Sequence, residues 1–178
     1  MSARFVFVAT AALLVATTTA LQLQAPPKLR GGNATVGVNE QCRDNVVAKA
    51  KGVFQRGAQC QYSGLCLKFT YDSIEPYHVV STSCLAQRTA ADAARACRSD
   101  HRWHPYSGTD IPKGAAILFE DCNAPANPDG HAVVSVGGGL AASTGVCPSG
   151  FEGSSHVEIS WLVQHYCNSN PSGWIEFC

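Results

Sequence analysis

Nine cysteines constrain this chain more than any other feature of its sequence. All nine lie between residues 42 and 178. In an oxidising compartment cysteines pair, and each bridge stabilises a fold by ~2–4 kcal/mol. The spacings are wide and contain no CxxC pair, which disfavours a metal site, so we expect four disulfides and no metal or other cofactor. Because nine is odd, one thiol must be free or bonded to another chain.

The first forty residues differ in character from the rest. Residues 1–20 combine a basic start, an apolar run and a small-residue end, which is typical of a cleavable signal peptide and shorter than the ~20 apolar residues that span a bilayer. An uncleaved anchor is the alternative. Residues 21–40 contain Pro26-Pro27 and Gly31-Gly32 and are predicted to be a flexible leader or pro-segment, with a glycosylation sequon at Asn33. Residues 41–178 are predicted to form one domain of a secreted, extracellular protein.

The charge pattern limits the possible partners. The chain has 13 basic and 13 acidic residues, and its formal net charge is zero. The basic residues are scattered, and nucleic acids and anionic membranes are bound through basic clusters. We therefore expect no nucleic-acid partner, no membrane partner and a monomeric protein.

Cys66 has the local sequence of a nucleophile. A glycine-containing turn precedes it, and apolar residues follow it at helical spacing, so the segment predicts a helix of about two turns that ends before Pro76. A cysteine in the first turn of a helix lies at the positive end of the helix dipole, which lowers the thiol pKa and favours the thiolate. Cys66 is therefore predicted to be the unpaired cysteine. The alternative is that Cys66 is bridged and another cysteine is free.

His131 is the candidate base for that thiol. It opens a Val-rich run over residues 131–136 that ends in three glycines, which predicts a buried strand with histidine at its first position. Residues 115–119 predict a second strand, and the two strands would form a sheet against which the Cys66 helix packs. A histidine placed there can take the thiol proton and return it to a leaving amine. A purely structural histidine is the alternative. His101 and His104 lack an acidic or cysteine partner at metal-ligand spacing and are predicted to lie at the surface or beside the substrate.

The order of these motifs resembles a known family. Tyr-x-Gly-x-Cys-Leu-x-Phe precedes an Ala-rich segment with a tryptophan, then Ile-Pro-x-Gly-Ala-x-Ile-Leu-Phe, Gly-His-Ala-Val-Val-Ser-Val and a closing Gly-Trp. This arrangement, over residues 61–174, is similar to the NlpC/P60 and CHAP group of papain-like cysteine peptidases and amidases. The resemblance implies an α+β fold in which the nucleophile helix packs on an antiparallel sheet. It also implies cleavage of amide bonds in peptidoglycan peptides through a Cys66 thioester, with His131 as general base.

The resemblance also assigns the remaining site residues. Family members carry a third polar residue about twelve positions after the base, and that register gives Ser143, with Thr144 beside it. A hydroxyl can accept the imidazole N–H bond, but it stabilises imidazolium less than a carboxylate does. The acidic residues Glu120 and Asp121 are therefore alternatives for this position. The aromatic residues of the motifs, Tyr62 and Trp103, are assigned to substrate binding.

Two other functions fit the same sequence. One is a non-catalytic, cysteine-rich secreted binding protein or effector on the same fold. The other is an acyltransferase, because an amine can capture a thioester in place of water. Eight bridged cysteines allow 105 pairings. Of these, Cys84–Cys97 is favoured as a local bridge, and Cys167 or Cys178 is expected to fix the C-terminus.

Overall fold

A computed structural model describes residues 40–55, 65–108, 110–122, 127–144 and 157–178. This part of the chain is a mixed α+β structure with an antiparallel sheet and four helices. The predicted signal peptide, most of the predicted leader, and Asn33 lie outside the described residues. Within them, no helix has the length and apolar character needed to cross a bilayer.

The helices begin and end where local sequence signals place them. The predicted Cys66 helix is confirmed, because it ends at Ile74, two residues before Pro76. A later helix is capped by the Thr89 side chain, which accepts a hydrogen bond of 3.1 Å from the amide of Asp92. The four helices are α1 (Glu40–Gln55), α2 (Cys66–Ile74), α3 (Ala90–Cys97) and α4 (Ile159–Trp161), the last continuing as a π-helix over Leu162–Cys167.

Six short strands form one antiparallel sheet. They are β1 (Trp103–Pro105), β2 (Ala116–Phe119), β3 (His131–Gly137), β4 (Leu140–Ala142), β5 (Val157–Glu158) and β6 (Gly173–Ile175). Their order across the sheet is β1-β6-β2-β3-β4-β5. The two strands predicted from the sequence are β2 and β3, and they pair directly, with Phe119 opposite His131.

The two faces of the sheet bury different sets of side chains. Successive residues of a strand point to opposite faces. In β2, Ala116 and Leu118 face α1, α2 and α3, whereas Ile117 and Phe119 face α4 and its π-helical continuation. The sheet therefore has a core on each side, and this explains why β2 is apolar at every position rather than alternating.

Three disulfides join distant parts of the described chain. Cys42 of α1 is bonded to Cys178 at the C-terminus, and Cys84 is bonded to Cys97 of α3. The third bond, Cys122–Cys167, ties the end of β2 to the π-helix. The predicted Cys84–Cys97 bridge is confirmed, and both Cys167 and Cys178 are bridged. Cys66 is the free cysteine of the described residues, and Cys60 and Cys147 lie outside them.

Candidate active site

The β3–β4 hairpin brings His131 and Ser143 together. Three successive glycines, residues 137–139, form its turn with positive φ angles of 88°, 60° and 76°, a conformation that residues with a Cβ rarely adopt. The register pairs Val134 with Ala142, so Ser143 follows the end of β4 on the same face as His131 and diagonal to it. The separation of twelve residues in the sequence thus becomes direct contact between two side chains.

His131 and Ser143 form a buried hydrogen bond. The distance from Nε2 of His131 to Oγ of Ser143 is 2.9 Å. The hydroxyl also lies 3.4 Å from the backbone carbonyl of Thr144, which can only accept a hydrogen bond. When the hydroxyl donates its single proton to that carbonyl, it accepts the Nε2–H of His131. This arrangement leaves Nδ1 of the imidazole with a free lone pair, which is the atom a general base requires.

The imidazole lies in apolar surroundings that keep it neutral. His131 is buried, and its ring lies 6.1 Å from that of Phe119 and 4.9 Å from that of Tyr166, measured between centroids. Burial lowers the pKa of His131 from 6.5 to about 4, because the charged form loses its hydration. Near neutral pH His131 is therefore the neutral imidazole, which can accept a proton.

Cys66 is the first residue of α2, and the expected sign of its pKa shift was wrong. Burial raises the thiol pKa above its ordinary 9.0, and the negative charge of Asp129 raises it further. Backbone hydrogen bonds involving Ala132, Leu67 and Cys66 itself act in the opposite direction, as expected at a helix N-terminus, but they are outweighed. The resting thiol is therefore protonated.

Cys66 lies beside the start of β3, the strand that His131 opens. Helix α2 packs against this strand, and the Cys66 sulfur hydrogen-bonds the backbone of Ala132, the residue that follows His131. Tyr166 links the two groups. Its ring is tilted by 59° against the imidazole, and its pKa is raised by burial and also by the negative charge that Cys66 carries as a thiolate. Tyr166 thus lies near both the imidazole and the thiol.

A groove runs past Cys66 on the helical side of the sheet. One wall comes from α2 and the residue before it, residues 65–72, and the other from residues 85–90, with Asp129 beside them. Its volume is about 440 Å³, within the ~300–1,000 Å³ of typical ligand clefts. The Cys66 groove, as we name it, has room for a small ligand beside the thiol.

Other predicted site residues lie elsewhere. Trp103 lies on the edge strand β1 and packs over Gly173, so closely that a Cβ added to Gly173 would come within 2.2 Å of the indole. Trp103 therefore supports the core and does not line the Cys66 groove. Glu120 does not reach His131, because its carboxylate is paired with Arg95 and Arg98. The alternative Asp121 is exposed at the surface. Tyr62 lies outside the described residues.

Tyr166, Asp129 and Arg88 are site residues that the sequence analysis missed. Tyr166 is placed by the π-helix, a form that often occurs at functional sites and has no clear sequence signature. Asp129 immediately precedes the Gly-His motif, so its position was a usable signal. Arg88 lies in a loop, where only the three-dimensional structure shows that it lines the groove.

Comparison with known proteins gives no matching family model, no curated protein and no solved structure. The chemistry of the site therefore follows from its own residues. A free thiol at a helix N-terminus, an imidazole held by a hydroxyl and a groove leading to the thiol are the parts from which a nucleophilic cysteine site is built.

Proposed function

We propose that this chain is a secreted cysteine hydrolase with a papain-like fold of the NlpC/P60–CHAP kind, and that it cleaves amide bonds in peptidoglycan peptides. The observation that carries the proposal is the His131–Ser143 hydrogen bond of 2.9 Å, formed at the start of the strand whose second residue, Ala132, interacts through its backbone with the free thiol of Cys66. Three disulfides support secretion, because such bonds persist in oxidising compartments.

In the first half of the reaction, Nδ1 of His131 takes the thiol proton while the Cys66 sulfur bonds to the substrate carbonyl carbon. The backbone N–H groups of Cys66 and Leu67 stabilise the oxyanion, since Leu65 provides no side-chain cap for this end of the helix. A donor of this kind contributes ~2.7–4 kcal/mol in other enzymes. The C–N bond then breaks, and His131 gives its proton to the leaving amine.

In the second half, His131 takes a proton from water, and the resulting hydroxide attacks the thioester. The C–S bond breaks, the acyl group leaves as a carboxylic acid, and Cys66 regains its proton from the imidazolium. Ser143 holds the ring in one orientation throughout, accepting the Nε2–H bond in both protonation states. The Tyr166 ring shields that bond from water.

The test compares hydrolysis of peptidoglycan stem peptides by the natural protein and by three variants, with products identified by mass spectrometry. We expect Cys66→Ala and His131→Gln to abolish cleavage, and His104→Gln, which alters an exposed histidine stacked on Trp174, to retain it. Cleavage that survives Cys66→Ala would exclude the thioester mechanism. Adding a free amine separates hydrolysis from acyl transfer, because transfer gives a new amide product.

One observation favours the alternative of a non-catalytic binding protein. The raised pKa of Cys66 is also what an inert, structural thiol has. Iodoacetamide labelling distinguishes the two functions, because an accessible nucleophile is alkylated faster as the pH rises toward 9 and above. If Cys66 of the native, oxidised protein is not labelled at any pH, and no stem peptide is cleaved, the binding function is the better description.

A further inference from the structure

The Cys66 groove contains two charged side chains that form no hydrogen bond or ion pair within the described chain. Of its four charged residues, Lys68 and Asp72 form an ion pair of 2.7 Å with each other. The other two, Arg88 and Asp129, are exposed. The charge of Arg88 acts on Asp92, but that carboxylate is ion-paired with Arg95. A groove with one cation and one anion free to form new hydrogen bonds favours a ligand that carries both charges.

The backbone of Asp129 has a fixed position in the wall of the Cys66 groove. Its carbonyl accepts a hydrogen bond of 2.9 Å from the amide of Ala91. The next residue, Gly130, has a positive φ of 72°, and a Cβ there would come within 2.3 Å of the Phe119 carbonyl oxygen. The backbone is therefore closely packed, and its carboxylate lies near enough to Cys66 for its charge to act on the thiol.

Arg88 extends from an equally constrained segment on the other wall. Thr89 caps α3, and the Cys84–Cys97 disulfide joins the two ends of the segment that contains Arg88. The guanidinium itself is exposed. A guanidinium is suited to bind a carboxylate through two parallel hydrogen bonds, and it stays charged at all relevant pH values.

We propose that the Cys66 groove selects short peptides that carry both a free ammonium group, bound by Asp129, and a free carboxylate, bound by Arg88. This inference rests on the proposed function and names the polarity of its substrate. A neutral peptide, or one blocked at either group, leaves one of the two charges without a partner when it fills the groove. Such peptides should bind less tightly for that reason.

The experiment uses the stem tetrapeptide L-Ala-γ-D-Glu-L-Lys-D-Ala in four forms: fully charged, with its amines acetylated, with its carboxylates amidated, and with both changes. Dissociation constants are measured by calorimetry on Cys66→Ala protein, which cannot cleave the peptides. We expect each blocking step to weaken binding about tenfold, the size of one charge-assisted hydrogen bond of ~1.4 kcal/mol. Binding that is equal for all four forms would overturn the inference.

Variants assign each charge to its residue. In the Cys66→Ala background, adding Arg88→Gln should remove the penalty for amidation but keep that for acetylation, and adding Asp129→Asn should do the reverse. Lys51→Gln, which removes a positive charge outside the groove, is the matched control and should preserve both penalties. If Arg88→Gln and Lys51→Gln behave alike, Arg88 does not read the carboxylate. Because these are binding measurements, they succeed or fail independently of whether the natural protein cleaves any peptide.

Discussion

Lowering the pH from 7 to 4 is expected to destabilise the folded protein by about 3 kcal/mol through His131 alone. The imidazole has a pKa of about 4 in the folded protein and 6.5 when it is exposed. The unfolded chain therefore takes up the proton first as the pH falls. The stabilisation from His131 is complete above pH 6.5 and is lost as the pH approaches 4. A difference of about 2.5 pKa units, at ~1.36 kcal/mol each, gives the stated size once the partial protonation at pH 4 is included.

The assay is urea unfolding without reductant at half-unit steps between pH 4 and 7.5, for the natural protein and for His131→Gln. Carboxylates that titrate in this range affect both proteins equally, so the difference between the two curves isolates His131. That difference should change most steeply between about pH 4.5 and 6, by up to ~1.36 kcal/mol per pH unit. His104→Gln is the control and should follow the natural protein, because His104 is exposed.

Two parallel curves, with a constant offset between the natural protein and His131→Gln, would refute the reasoning. They would mean that His131 is as easily protonated in the folded protein as in the unfolded chain. The site would then hold an imidazolium near pH 5. An NMR titration of the His131 ring in the natural protein gives an independent check, since a midpoint near 6.5 leads to the same refutation.

Three other predictions test the supports around the site. Ser143→Ala should lower kcat/KM for a stem peptide about tenfold, which corresponds to the loss of one neutral hydrogen bond of ~1.4 kcal/mol. Iodoacetamide labelling of Cys66 should be unchanged in this variant. Activity equal to that of the natural protein would show that Ser143 does not orient the ring. Tyr166→Ala should expose the imidazole and raise the pKa of His131 toward 6.5, as measured by NMR, whereas Tyr166→Phe should leave this pKa unchanged. A low His131 pKa in both variants would exclude shielding by the phenol ring. Thr70→Val should raise the free energy of unfolding, measured with urea, by about 1 kcal/mol. The reason is that the Thr70 hydroxyl is buried without a hydrogen-bond partner within the described chain. A loss of stability would contradict that description.

The hairpin and the nucleophile helix could be predicted because their signals are local. A Val-rich run ending in three glycines is enough to define β3 and its turn, and an antiparallel hairpin then determines which later residues face His131. Ser143 was named from the family resemblance, and the observed register explains its contact with His131. The end of α2 was equally predictable, since Pro76 restricts the residues before it. Helix α1 also had a readable signal, because Val46, Ala50 and Val53 recur at helical spacing and are buried.

The remaining features depend on contacts between distant segments. The first-turn position of Cys66 predicts a lowered pKa, but the burial that reverses the sign is produced by packing of α2 on β3. The strands β1 and β6 have three residues each, too few for an alternating pattern, and their pairing is defined by Trp103 packing over Gly173. Tyr166 contacts the imidazole from the π-helical continuation of α4, a local form with no clear sequence signature.

The pKa values of Cys66 and His131 together describe how a free thiol can persist in a protein rich in disulfides. Burial raises the pKa of the Cys66 thiol above its ordinary 9.0 and lowers the pKa of His131 to about 4. Transfer of the proton from the thiol to the imidazole is therefore unfavourable, and the thiolate is a minor state near neutral pH.

A permanent thiolate at this position would be a hazard to the fold. Thiolates attack disulfides, and the Cys84–Cys97 bond closes the segment that forms the wall of the groove opposite Cys66. A protonated, half-buried thiol exchanges and oxidises slowly. Burial of Cys66 therefore protects both its thiol and the neighbouring bridge. If Cys66 is the nucleophile we propose, the burial that slows its alkylation is also what lets a reactive cysteine coexist with the three disulfides of the described chain.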